Sequence, residues 1–149
     1  MRTTARAIVV KDNQLLVMHR HKFGQEYYAL IGGGVDFGET PEQTLYREVA
    51  EEASLQISNH RLVIIEDAGA IYGRQYIYLC DYVSGEPQLA ADSMEAQITA
   101  GGQNLYQPLW LPLDQLPEIN LLPKELKAML LEYLPKGWPA EPLQLSIPD

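Results

Sequence analysis

Hydrophobic and polar positions along the chain change rhythm several times, and each change predicts an element. Thr4 to Val10 is rich in β-branched residues and predicts a strand; Asp12-Asn13 is a turn signal, and Gln14 to His19 predicts the returning strand of a hairpin. Arg20 to Gln25 reads as a polar loop with a basic tip of Arg20, His21 and Lys22, Tyr27 to Ile31 as a short strand, and Gly32-Gly33-Gly34 as a break. Thr40-Pro41-Glu42-Gln43 is a helix start, with a Thr cap, Pro at the first helical position and Gln three residues after the cap. The helix is expected from Pro41 to about Ala53, with Leu45, Val49 and Ala53 as its apolar stripe. Arg61 to Ile65 and Tyr72 to Val83 predict strands, and Ser84 to Pro87 a turn. The weak pattern from Gln88 to Asn104 predicts a long mobile loop. Leu109 to Leu111 predicts a strand closed by Pro112, and Pro123 to Leu134 a second helix with Leu126, Leu130, Leu131 and Leu134 on one face. Beyond Pro135, three further prolines predict an irregular tail. Strands separated by two helices predict a mixed α/β (α+β) domain over residues 1–134, followed by a Pro-rich tail over 135–149.

Composition narrows the class. A chain of 149 residues, 46% apolar, suits one domain with its own core. No apolar run is long enough to span a membrane, and the Ala7 to Val10 run is too short for a secretion signal. A single cysteine, Cys80, forms neither an internal disulfide nor a cysteine-rich zinc site, so a reducing, cytoplasmic setting is expected. The net charge of −9 argues against a general binder of nucleic-acid polymers but leaves room for a small anionic substrate that recruits a metal cation.

That charge is concentrated. Between Gly33 and Leu55 lie six acids (Asp36, Glu39, Glu42, Glu48, Glu51 and Glu52) and one base, Arg47, so this segment carries −5 of the total. At about 100° per helical residue, Glu48, Glu51 and Glu52 share an arc of about 100° beside the apolar stripe. Like charges at that spacing repel, and a divalent cation with a taste for hard oxygen ligands, Mg²⁺ or Mn²⁺, relieves the repulsion. Three successive glycines allow positive φ and exposed N–H groups facing an anion. A glycine segment ahead of an acidic helix therefore suits phosphoryl chemistry.

At this point the chain resembles the Nudix hydrolase family. Its signature runs Gly, five residues, Glu, seven residues, Arg-Glu, apolar, any, Glu-Glu, any, Gly, apolar. Here Gly33, Glu39, Arg47-Glu48, Val49, Glu51-Glu52 and Leu55 match, and Ser54 stands in place of the last Gly. That Gly ends the helix in a left-handed conformation, so Ser54 is expected to be mildly strained or to alter the cap. The 23-residue box, the flanking strand order and Trp110-Leu111-Pro112-Leu113 carry the resemblance. It implies a mixed sheet sandwiched between helices and hydrolysis of a diphosphate linkage in a nucleoside diphosphate derivative. By family pattern, Glu51 and Glu52 bind the metal, Glu48 binds metal or acts as general base, and Arg47 and Glu39 orient the cluster. Some members place the base in a loop outside the box, where Glu95, with Asp92 behind it, is this chain's candidate.

Substrate cues are sparser. Gly32, Gly33 and Gly34 are candidates to face the phosphates, Arg20 and Lys22 to meet one, and Phe23, Tyr27 and Tyr28 to stack on a base. In the family a downstream Pro accompanies some ADP-ribose hydrolases, and the Asp67 to Ile71 segment has none; a Tyr at the distance of Tyr72 accompanies some dinucleoside polyphosphate hydrolases. The short chain, with no extra substrate domain, favours a nucleoside triphosphate pyrophosphohydrolase; the alternatives are a dinucleoside polyphosphate or nucleotide-sugar hydrolase, or a non-catalytic nucleotide sensor. Homodimers are common in the family, but no interface is legible.

Overall fold

Asp12 and Asn13, both at positive φ (52° and 60°), reverse the chain between β1 (Thr3–Lys11) and β2 (Gln14–Lys22). That is the conformation of a tight hairpin turn, and Asn and Asp tolerate it best after Gly. The computed structural model describes residues 2–91, 93–102 and 104–148, with the side chains of 71, 72, 97 and 100 outside that description. The remaining elements are β3 (Gln25–Ala29), β4 (Ile31–Gly34), α1 (Pro41–Ala53), β5 (Gln56–Asp67), α2 (Gly69–Tyr72), β6 (Arg74–Ser84), α3 (Met94–Ala100), β7 (Asn104–Pro112), a 3₁₀ turn (Leu113–Glu118), α4 (Lys124–Lys136) and β8 (Leu143–Ser146).

Among the described residues, eight strands join one mixed sheet. The path runs β3-β2-β1-β6-β5-β8, with β4 also paired to β1 and β7 to β2. β1 runs parallel to β6 and antiparallel to β4, in the register Ala5↔Gly33 and Ala5↔Tyr76. Alternation along β1 divides the core. Ala5, Ala7 and Val9 pack under Leu45, Val49 and Ala53 of α1. Ile8 belongs to the opposite face, with Val63, Ile64 and Ile77 under Leu126 and Leu130 of α4. The expected sandwich of a mixed sheet between helices is thus the observed one. No helix among the described residues is long and apolar enough to cross a membrane.

Helix α1 begins as its sequence dictates. Thr40 Oγ1 accepts from Gln43 N (3.1 Å), Gln43 Oε1 accepts from Thr40 N (2.9 Å), and Pro41 occupies the first turn. It ends on Ser54, which takes the left-handed conformation (φ 57°) that a Gly adopts freely. Ser54 Oγ donates to Gln88 O (2.6 Å), a bond no Gly makes, which offsets part of the strain.

Four expectations are corrected. The Gln88 to Asn104 stretch is not all loop: Ser93 caps α3 by accepting from Ala96 N (3.0 Å), and Tyr106 N donates to Thr99 Oγ1 (3.0 Å), docking α3 on β7. Arg20 is not in a loop: β2 continues to Lys22 because β3 and β7 bond it from both sides. The glycine triplet does not break the chain but forms β4, and none of its φ angles lies in the left-handed region. The tail is not irregular throughout, since Leu143–Ser146 add β8 parallel to β5. Smaller shifts follow from pairing: β5 runs longer than its apolar centre, and the short α2 precedes β6.

Candidate active site

The register of β4 against β1 positions the site. Gly32 lies so close under β1 that a Cβ would collide with Ala5 O and come within 2.7 Å of Arg6 Cα. The space above Gly33 is filled by Glu48 instead: a Cβ there would lie 2.6 Å from Glu48 Cδ. These glycines are required for close approach, not for positive φ. Gly32 N–H donates to Glu52 Oε1 (3.1 Å). In this structure that donor faces the Glu52 carboxyl group of the protein itself. Gly34 has nothing within 4 Å of a Cβ.

Arg47 is the hub of the acidic helix. Its Nε and Nη2 form a two-pronged pair with Glu39 (2.7 and 2.9 Å), and Nη1 reaches Glu48 Oε1 (2.9 Å). The same guanidinium lies 3.3 Å from Asp36 and 3.4 Å from Glu51. Glu39 also accepts from Thr44 Oγ1 (2.6 Å) and Asp36 N (3.2 Å). The Arg47 bonds, helped by Thr44, hold the Glu39 carboxyl down at about 2. In return Glu39 raises Arg47 further above its ordinary value.

Glu52 is the opposite case. Only 8% exposed, it is pushed up to about 8 by burial and then by the neighbouring Glu48. Burial raises Glu48 too, against the pull of Arg47. The Glu95 carboxylate, in the first turn of α3, adds to the rise of both. The structure thus brings Glu95 within electrostatic reach of Glu48 and Glu52, while Asp92 lies outside the described residues. Arg20 is committed to β7: it donates to Asn104 Oδ1 (2.6 Å) and Leu105 O (3.1 Å) with its guanidinium 3.6 Å from the Tyr106 ring centre. Tyr28 stacks on His19, and the Tyr72 side chain lies outside the described residues.

Among the described residues, no three acidic or imidazole side chains already converge as a ready-made metal set. Glu48 and Glu51 both lean on Arg47. The donor chemistry nonetheless fits a hard divalent cation, because Glu48 and Glu52 are both held largely out of water and Glu48 adds to the cost of ionising Glu52, a cost that a dication removes. The sign of the pH response follows. Folded Glu52 holds its proton more tightly than the unfolded chain does, so its stabilising contribution is complete below about 4.5 and is lost as pH rises through about 8. In EDTA, the unfolding free energy of the parent protein, from urea titrations, is expected to fall between pH 5 and pH 9 relative to Glu52→Gln, by on the order of a few kcal/mol. Mg²⁺ or Mn²⁺ is expected to restore it on the alkaline side. Parallel profiles for the two proteins, or no effect of either cation, would count against both assignments.

A residue that the sequence reading missed links this cluster to a cavity. Arg6, half-buried on the α4 face of β1, feels Glu52, Glu66 and Glu48. Its only sequence signal is a charge alternating with the core residues Ala5 and Ala7. Arg6 lines an open cleft of about 960 Å³, together with Tyr27, Ala29, Leu30, Glu66 and Gln75. Glu48, Glu51 and Glu52 do not line this cleft; it is linked to Glu52 through Arg6 and its strand partner Gly32, whose N–H bonds Glu52.

Comparison with known proteins gives this arrangement a setting. The NUDIX domain family matches residues 1–133. The chain is 34% identical over 108 residues to the NAD-capped RNA hydrolase NudC of Photorhabdus laumondii, an alignment that takes in 72% of this chain and 37% of that protein. It is 45% identical over 56 residues to the RNA pyrophosphohydrolase of Pseudoalteromonas translucida, covering 38% of this chain and 33% of that one. The chain therefore spans well under half the length of these curated relatives. In fold it is similar to the MutT NUDIX hydrolase of Burkholderia pseudomallei (TM-score 0.64, 24% identity, 86% of this chain and 95% of that one). It is also similar to an ADP-ribose pyrophosphatase of Streptococcus suis (TM-score 0.65, 20% identity, 98% of each). A match of this extent, over a fold those structures share, places the chain in the NUDIX domain family.

Proposed function

We propose that the protein hydrolyses a diphosphate linkage in a nucleoside diphosphate derivative, with Mg²⁺ or Mn²⁺ as cofactor, and that its substrate is a nucleoside triphosphate cleaved to the monophosphate. The observation that carries this reading is the junction at Arg6 and Gly32. There Arg6, which lines a cleft large enough for a nucleoside, pairs with Gly32, whose N–H bonds Glu52 of the carboxylate cluster. Glu48, Glu51 and Glu52 would hold the cation, which supplies Lewis-acid polarisation of the phosphate oxygens and a more acidic water. Arg47, locked by Glu39, fixes the rotamer of Glu48. Glu48, already raised by burial, would take the proton of the attacking water; Glu95 is the alternative base. Tyr27, half-buried in the cleft wall, offers a face for a base.

The −9 charge supports a small nucleotide over an RNA chain, whose phosphates need a basic track. A second reading, cleavage of a dinucleotide diphosphate or of a capped RNA end, draws on the similarity to proteins named NAD-capped RNA hydrolase. A buried free thiol at Cys80 accords with a reducing, cytoplasmic setting. Chromatographic separation of the products formed with Mg²⁺, against EDTA, from the four nucleoside triphosphates, NAD, a dinucleoside tetraphosphate, a nucleotide sugar and 5′-triphosphate RNA tests the proposal. Turnover of a triphosphate above all others is expected. Faster cleavage of NAD or RNA moves the reading to the second class, and tight binding without turnover moves it to a sensor.

A further inference from the structure

The cleft has one wall whose polarity is set by a chain of hydrogen bonds. Arg6 Nε donates to Gln75 Oε1 (2.7 Å), and Gln75 Nε2 donates to Glu66 Oε2 (2.6 Å). The first bond stops the Gln75 amide from flipping, so its nitrogen must face Glu66. Glu66 is 1% exposed and lines the cleft. Its second oxygen, Oε1, is buried and has no hydrogen-bond partner among the described residues. Buried carboxylate oxygens are rarely left so, because desolvation without a donor is costly. The rest of the lining is flat and mostly apolar: Tyr27, Leu30 and Leu126, with Phe23, 73% exposed, at the rim. A slot of aromatic and aliphatic faces with a buried, unpaired acceptor suits a planar ring that carries a donor on its edge.

We infer that Glu66 is a specificity-determining residue whose Oε1 accepts an N–H from the edge of the substrate's nucleobase. The inference rests on the reading of this cleft as the nucleoside site. A base that offers only acceptors leaves Glu66 unpaired and is rejected, since a site built around a substrate N–H discriminates sharply against the analogue lacking it. Arg6 stands at the other end of the same chain of bonds, so the base-reading wall and the carboxylate cluster share one cation.

Purine ribonucleoside triphosphate, whose ring carries no N–H edge, is the probe. With Mg²⁺, the parent protein is expected to favour at least one of ATP, GTP, CTP and UTP over this analogue by about tenfold or more in kcat/KM, with the difference in KM. In Glu66→Gln, Gln75 Nε2 still demands an oxygen, so the new amide nitrogen takes the free position and an acceptor becomes a donor. The preference is then expected to shrink to about twofold or less. Equal use of the analogue by the parent protein overturns the inference, and so does an undiminished preference in the variant. The parent ratio needs no variant, so it decides the matter even if Glu66→Gln misfolds. Calorimetry with the corresponding monophosphates separates the two readings. Base preference in binding without any turnover overturns the catalytic proposal and keeps this one. Turnover without base preference does the reverse.

Discussion

Glu52→Gln is expected to lower kcat by about three powers of ten or more, with the fold intact. The amide keeps the size of the side chain and the acceptor that Gly32 N–H uses at 3.1 Å. What disappears is the capacity to ionise, in a site that is 8% exposed and where burial, and then the neighbouring Glu48, hold the carboxyl up at about 8. Such a group is costly in the resting protein and valuable once a dication sits beside it; losing an anionic ligand removes several kcal/mol of transition-state stabilisation. The melting temperature in EDTA is therefore expected to hold or rise while activity collapses. Steady-state kinetics with Mg²⁺, beside a thermal melt, check both halves. Near-normal turnover in the variant would mean that Glu52 is no metal ligand, and an unfolded variant would make it a structural residue.

The glycine triplet separates three effects that one motif suggests together. Gly32→Ala drives a methyl group into the backbone of β1 at Ala5 O and Arg6 Cα, and neither strand can yield without unzipping the pair. A loss of about 3 kcal/mol of stability or more is expected. Gly33→Ala meets only the far end of the Glu48 side chain, 2.6 Å away, which can swing aside. Here the protein is expected to fold and kcat to fall by about a hundredfold, because a displacement of about 1 Å in a reacting group has that order of cost. Gly34→Ala, with open space around it, is expected to match the parent in both respects. Melts and kinetics on the three variants give the ranking. A fully active Gly33→Ala protein would contradict the placement of Glu48 in the site, and a crippled Gly34→Ala would restore a phosphate-facing role for that backbone.

Arg47 shows how much of the site is local. Glu39, Arg47, Glu48, Glu51 and Glu52 sit within fourteen residues, and a capped helix of known pitch brings the last four together wherever it packs. The hairpin at Asp12-Asn13 and the cap at Thr40 were equally readable, since each depends on a few adjacent residues. The left-handed Ser54 followed from the helix end. Its compensating bond to Gln88 did not, being made 34 residues away.

The misread stretches share one cause. Residues 88–104 have no strong period, yet α3 forms because Ser93 caps it and Thr99 docks on Tyr106. Arg20 is polar and reads as loop, but β3 and β7 supply it with partners on both sides. The glycines suggested a flexible phosphate cradle and became a strand, because β1 lies alongside to pair with them.

Pattern and spacing alone were enough to specify the mixed α/β class and the acidic helix that carries Arg47 among its carboxylates, because periodicity and capping act over a few residues. The cleft, the orientation of Glu66 and the link through Arg6 arose only when β1, β4, β5 and β6 came into register. Arg6 meets Gln75 across 69 positions of chain. No rule of local spacing reaches that far: such contacts depend on which strands pair and in what register, and that is settled by burying two apolar faces at once.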